Sequence, residues 1–346
     1  MTIEKNQPKS GFKLAVAATL FTFVVIILGA FTRLVDAGLG CPDWPACYGH
    51  ILWPMTDAEV ATANAAFPDT PVEHDKTWPE QVHRLLATSL GLFCIGIVVL
   101  ALRNRLKDSS YSPFKLTLLI LAMVILQGMF GRWTVTLNLW PQVVTAHLMG
   151  GFMTASLLWL LTLRLYNQHW QVEFAAFQKL QSIKPLLMLS MFFVVLQIFL
   201  GGWTSSNYAA LACPDLPMCQ GRLVPDMNFY KGFNFTQQIG PNYLGGLMES
   251  DARTAIHYTH RIGAVIVTIL VLCLVYRLSV INLKSVKSWT YGLFIVLFLQ
   301  LSLGISNIIW ALPLGIAVAH NAVGALLLLT FVGLCHRIYT VRLISD

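Results

Sequence analysis

His83, His147, His260 and His320 each fall near the start of a long apolar run. Neutral imidazole is the commonest metal ligand. Two imidazoles facing each other inside an apolar bundle make a site for a haem iron, one ligand per face. Zinc would usually add a cysteine or a carboxylate, and the runs holding His147 and His320 offer none near their histidines. A single intramembrane histidine is as readily explained by a hydrogen bond to a neighbouring helix. Four in a repeated pattern favour two ligand pairs, His83 with His147 and His260 with His320.

Other ionisable groups crowd two of these histidines. In "PEQVHR" Glu80 lies three residues before His83, and Arg84 follows it; in "HYTHR" His257, His260 and Arg261 take the matching places. Glu80 and His83 share a helix face if the helix begins early enough. A carboxylate there can handle a proton or stabilise developing positive charge; its plainer role is an acidic residue favoured by the helix dipole. With His257 as its counterpart, the first pair reads as the reacting site and the second as the holder of a permanent cofactor. Arg84 and Arg261 suit haem propionates as charge-assisted partners, or serve as interfacial anchors.

The elements that must position these residues are membrane helices. The chain has 346 residues, 56% hydrophobic and 11% charged, with mean hydropathy +0.65; a soluble domain carries about a quarter charged residues. Eight runs offer the roughly 20 apolar residues of a spanning helix: 12–33, 82–103, 114–136, 142–166, 185–206, 255–280, 289–311 and 314–337. The first is too long for a signal-peptide core and lacks a cleavage motif, so it reads as a retained helix.

Basic residues set the orientation. Lys5, Lys9 and Lys13, then Arg103, Arg105, Lys107 and Lys115, then Arg164, Lys179 and Lys184, then Arg277, Lys284 and Lys287, then Arg337 and Arg342 fall on one side. The first loop on the other side is acidic. Both termini are expected in the cytoplasm, with the histidines and cysteine loops outside. The net charge of +7 is then a topology signal that requires no nucleic acid. Arg164, Arg277 and Arg337 each follow a histidine by 17 residues, about 26 Å of helix, which sets the histidines at one depth near the outer edge.

The chain also repeats itself. "ILGAFTRLVDAGLGCPDWPACYG" (27–49) matches "FLGGWTSSNYAALACPDLPMCQG" (199–221), and the histidine segments follow in the same order in both halves. The expected fold is an all-α integral membrane protein of eight helices in two tandem four-helix bundles, 1–180 and 181–346. An even number of helices per unit makes the copies parallel, related by an axis along the membrane normal. Cys41/Cys47 and Cys213/Cys219 lie in outer loops, where disulfides persist; they staple the loops or exchange with a partner thiol. Cys94, Cys273 and Cys335 read as packing residues. Trp44, Trp53, Trp78 and Trp133 suit the interfacial aromatic belt or a porphyrin floor.

"GAFTRLVDAGLGCPDWPACYG", "PEQVHR", "QGMFGRWTV" and "TAHLMGG" in the first half, with "CPDLPMCQG", "HYTHRIG" and "AVAHNAVG" in the second, together resemble the haem A synthase family over nearly the whole chain. The resemblance implies oxidation of the C8 methyl of haem O to a formyl through successive hydroxylations, as part of making the cytochrome oxidase cofactor. It implies that His83 and His147 flank the substrate haem with Glu80 beside the reacting methyl, and that His260 and His320 ligate a haem b. Haem O is then substrate and haem A product. Haem O synthase, cytochrome oxidase assembly factors and an electron-transfer partner are the expected contacts, in the cell inner (plasma) membrane; a homo-oligomer is compatible with this. Only some members carry the cysteine pairs, so the resemblance assigns them no role.

Three other readings compete. A bis-histidine di-haem cytochrome b would hold two similar permanent haems. A periplasm-facing thiol oxidoreductase would depend on Cys41 and Cys47. A transporter with parallel repeats would want broken or polar mid-membrane helices, of which the spans show few.

Overall fold

The computed structural model describes residues 7–107 and 113–344; Lys5 lies outside them. Eight helices are long and apolar enough to cross a bilayer: α1 (Phe12–Leu34), α3 (His74–Leu106), α4 (Phe114–Thr136), α5 (Pro141–Tyr166), α6 (Phe174–Ser206), α8 (Ser250–Ser279), α9 (Lys284–Ile309) and α10 (Leu314–Tyr339). Two short helices sit in the loops, α2 (Asp57–Ala66) and α7 (Phe229–Gly232). β1 (Gln171–Val172) pairs in parallel with β2 (Arg342–Leu343). The chain is an all-α integral membrane protein.

The spanning runs are where hydropathy puts them, but several helices begin earlier. α3 starts at His74 and passes through Pro79; α6 starts at Phe174 and passes through Pro185. A hydropathy run ends where polar residues begin, whereas a helix continues past the hydrocarbon edge as long as its backbone bonds are kept. The early start of α3 puts Glu80 on the same helix as His83. The early start of α6 puts residues 180 and 181 inside a helix.

α1, α3, α4 and α5 pack in a ring, each against the next, and so do α6, α8, α9 and α10. The rings join through α5 with α10, α5 with α6, and α10 with α1. Exchanging the two sets turns α5–α6 into α10–α1 and leaves α5–α10 unchanged, which is the contact pattern of a two-fold axis. Backbone details recur in the same way. Asn138 and Leu139 have positive φ, as do Ala311 and Leu312; Tyr48 and Gly49 are matched by Gln220 and Gly221.

In lipid, burying leucine gains little over leaving it in the acyl chains, so close packing and interhelical hydrogen bonds carry the association. Ala15, Ala18 and Ala155 are buried at such contacts. Thr19 and Thr162 hydroxyls bond across α1 and α5 at 3.1 Å. Between the rings Trp159 Nε1 donates to the Leu329 carbonyl at 3.0 Å, and Thr145 bonds Ser206 at 3.0 Å.

Candidate functional site

Each of the four histidines sits against a glycine of the neighbouring helix. A Cβ added at Gly29 on α1 would lie 2.8 Å from His83 Cε1; at Gly201 on α6, 3.2 Å from His260 Cε1. The distances are 3.1 Å from Gly304 on α9 to His320, and 3.6 Å from Gly131 on α4 to His147. Glycine here serves close approach of a side chain to a helix backbone.

His83 on α3 and His147 on α5 face each other with ring centres 6.4 Å apart and planes at 89°. Neither Nδ1 has a hydrogen-bond partner. A metal ion held by two imidazole nitrogens at about 2 Å from each separates their rings by about 6 Å. That spacing would let the two rings hold one metal ion between them, and among the described residues no cluster of three or more His, Cys, Asp or Glu side chains could hold an ion. In the second set His260 on α8 and His320 on α10 lie close enough to interact electrostatically. His320 Nδ1 has no partner. All four imidazoles are half-buried, as the walls of a cleft would be.

One difference between the two clefts lies behind the imidazole. Gln197 Nε2 donates to the His260 carbonyl at 2.9 Å and lies 3.1 Å from His260 Nδ1. A Cβ at Gly263 would be 2.1 Å from Gln197 Oε1, so glycine admits this amide. In the repeat register Val25 and Leu86 take these places, and both belong to an apolar cluster. Gln300 Nε2 sits 3.3 Å from His320 Nε2.

Beside each cleft lies a disulfide-closed loop, Cys41–Cys47 and Cys213–Cys219. The two loops are built alike. Asp43 accepts the Tyr48 and Gly49 amides at 2.6 and 2.8 Å; Asp215 accepts those of Gln220 and Gly221 at the same distances. These backbone donors, Gly221 first, hold the Asp215 carboxyl below its ordinary range. Arg84 donates to the carbonyls of Asp43, Ala46 and Cys41 at 2.7, 2.8 and 3.3 Å. Arg261 donates to Asp215, Met218 and Cys213 at 2.9, 2.9 and 2.5 Å. Both guanidinium groups thus face loop carbonyls.

Glu80 and His257 hold the same backbone position. Glu80 Oε2 accepts the Cys41 amide at 2.9 Å, and His257 Nδ1 accepts the Cys213 amide at 3.1 Å. Both side chains are buried. Glu80 also pairs with Arg84 through its other oxygen, a partner His257 cannot match. The first loop is further pinned by Tyr48, whose hydroxyl donates to the Thr70 and Pro71 carbonyls. Burial, with the charges of Glu73, Glu80 and Asp43 behind it, pushes the Tyr48 phenol up to about 12.

The four histidines and Glu80 were singled out as candidates by the sequence. The role of the aspartate in C-P-D, the carbonyl contacts of the arginines and the Gln197 amide were not. A signal existed for the first two: Asp43 and Asp215, like Arg84 and Arg261, occupy equal places in the repeat. Gln197 has no such echo.

Fold and site together define a polytopic helical membrane protein with paired intramembrane imidazoles. Its sequence matches the family described as cytochrome oxidase assembly protein over residues 12–332. It is 47% identical over 314 residues to a heme A synthase of Shewanella oneidensis, covering 90% of this chain and 92% of that one. A heme A synthase of Caulobacter vibrioides is 27% identical over 348 residues, 94% of each chain, and one of Chelativorans is 27% identical over 331 residues, 88% of this chain and 84% of the relative. The chain belongs to the heme A synthase family of cytochrome oxidase assembly proteins.

Proposed function

We propose that this chain is a membrane oxidoreductase of haem A biosynthesis that oxidises the C8 methyl of haem O to a formyl through successive hydroxylations. The observation that carries the reading is the difference at one equivalent position: a buried carboxylate, Glu80, beside the first imidazole pair, and His257 beside the second. His83 and His147 hold the substrate haem, and His260 and His320 hold a haem b. A bound haem b supplies one-electron chemistry. Glu80, fixed by the Cys41 amide and the Arg84 guanidinium, presents negative charge to a carbon that becomes cationic during oxidation. Arg84 and Arg261 hold the cysteine loops in place next to the clefts. The protein lies in the inner (plasma) membrane with both termini cytoplasmic and the clefts toward the outer side. Haem O synthase delivers the substrate, assembly factors receive the product, and an electron-transfer partner completes the redox balance.

Haem extraction from the purified protein, co-expressed with a haem O synthase, tests this. Haem b together with haem O, its hydroxylated form or haem A is expected. Two haem b per chain and no other haem would instead make it an electron carrier. A Glu80→Gln variant should keep its haems and lose turnover; full turnover would remove the carboxylate from the mechanism.

A further inference from the structure

Each disulfide loop ends in the same small hairpin, followed by an apolar tip. Cys47 and His50 exchange both main-chain bonds, at 2.9 and 3.1 Å; Cys219 and Arg222 do so at 2.8 and 3.2 Å. Two residues of positive φ close each turn, Tyr48 with Gly49 and Gln220 with Gly221, as the tight turns of hairpins require. Next come Ile51 and Leu52 in the first loop, 82% and 44% exposed, and Leu223 and Val224 in the second, 71% and 68% exposed. A single exposed apolar side chain is ordinary. Two adjoining ones that leave the same fixed turn in both loops call for a cover.

Their depth identifies that cover. Gln81 on α3 donates to the Ile51 carbonyl at 2.5 Å, and Tyr258 on α8 donates to the Leu223 carbonyl at 3.0 Å. Gln81 lies two residues before His83, and Tyr258 two before His260, so both tips are tied to their helices at matching places beside the histidines. From Gln81 to Arg103, at the other end of α3, is 22 residues, about 33 Å of helix. From Tyr258 to Arg277 on α8 is 19 residues, about 28 Å. The hydrocarbon of a bilayer is about 30 Å thick, with roughly 5–8 Å of headgroup region on each side. The tips therefore stand where acyl chains give way to headgroups, on the same helix as exposed span residues such as Leu92.

We propose that Ile51 with Leu52 and Leu223 with Val224 are lipid anchors, seated among the upper acyl chains of the leaflet on the cysteine-loop side. Taking one leucine or isoleucine side chain out of water favours the apolar phase by at least about tenfold. The anchors bear on the site. The first hairpin belongs to the loop that gives its Cys41 amide to Glu80 and its carbonyls to Arg84. The second belongs to the loop that meets His257 and Arg261 in the same way. The bilayer then holds each loop at its tip while the arginine holds it at its base.

The test places p-benzoylphenylalanine at Ile51 or at Leu223 of the full chain in phospholipid vesicles. On irradiation the benzophenone inserts into neighbouring C–H bonds, and intact-protein mass spectrometry identifies what it has joined. Leu92, exposed on the span of α3, is the lipid-facing control, and Asp69, exposed elsewhere on the first loop, is the water-facing one. Phospholipid adducts at both tips are expected at a yield comparable to that at Leu92 and at least about tenfold above that at Asp69. Leu52 and Val224 are second positions if a variant does not fold. A yield like that of Asp69 at either tip overturns the proposal, because the argument rests on their matched geometry. A tip joined instead to a second copy of the chain or to another protein overturns it as well.

Discussion

Arg84 and Arg261 do one job with one difference, and the difference can be weighed. Each guanidinium reaches three loop carbonyls. Arg84 also neutralises Glu80, which is 5% exposed. In Arg84→Met the loop loses its donors and a buried carboxylate loses its cation; breaking one side of a buried ion pair costs about 3–5 kcal/mol. In Arg261→Met the loop loses the same kind of donors, but His257 stays neutral on the Cys213 amide. That loss is the net worth of hydrogen bonds to a charged group, about 1.5–3 kcal/mol. The first loop should therefore suffer more by about 2 kcal/mol, or roughly 30-fold in its opening equilibrium.

Hydrogen exchange at the amides of Cys41–Gly49 and Cys213–Gly221 reads the two openings separately in the same protein. Adding Glu80→Gln to Arg84→Met should restore part of the protection, because the orphaned charge is gone. Equal losses in the two loops, or no recovery in the double variant, would refute the ion-pair reasoning. Full protection of the first loop in Arg84→Met with loss of its haem would move Arg84 from the loop to the haem propionates.

Further expectations concern the clefts and the first loop. Gly29→Ala, whose methyl would lie 2.8 Å from His83, should displace that imidazole and abolish haem binding in the first cleft, whereas Gly131→Ala, at 3.6 Å from His147, should be nearly silent; difference spectra of the two variants decide. Gln197→Leu should weaken haem retention at His260 and His320 by about 10–100-fold, the usual effect of losing a partner of a ligand histidine, and transfer to apomyoglobin measures it. Unchanged retention would leave Gln197 a packing residue. Tyr48 keeps its proton in the folded loop up to about pH 12 because burial and nearby carboxylates oppose the phenolate. A raised folded value means the contribution is whole below about pH 10, the ordinary phenol value, and is lost as pH rises through about 12. Limited proteolysis across that window should show the first loop opening, and Tyr48→Phe should flatten the dependence.

The spans were legible because twenty apolar residues have few other uses, and the histidines because each breaks its run near the start. Helix starts were less so. Nothing in "HDKTWPE" is apolar enough to announce that α3 is already under way at His74, since a helix outside the hydrocarbon is held by its own backbone and by the loop it meets. Glu80 could be placed beside His83 by spacing, but its contact with Cys41 joins residues 39 apart in sequence, and no local pattern encodes such a meeting. The parallel between Arg84 and Arg261 was visible as sequence; that both reach main-chain carbonyls was not, because carbonyls leave no trace in residue type.

Those carbonyl contacts bear on why a scaffold of two similar helix sets would treat its two clefts differently. The disulfide, the aspartate and the arginine recur with equivalent partners, and the histidines recur in the same order, so the scaffold itself does not distinguish the clefts. What differs is held by a few side chains: Glu80 against His257 under the loop, and Val25 and Leu86 against Gln197 and Gly263 behind the imidazole. The first set carries a carboxylate paired with Arg84 above its histidines, and His83 meets the Val25 main chain where the second set has a side-chain amide. The second carries an imidazole, His257, in the carboxylate's place and a side-chain amide on its ligand. Ligand histidines gain affinity from outer partners of this kind, so under the proposed function Gln197 would favour the more tightly held haem at His260 and His320. Under the same proposal a substrate must leave after reaction, which suits the pair that has Glu80 and no counterpart of the Gln197 amide.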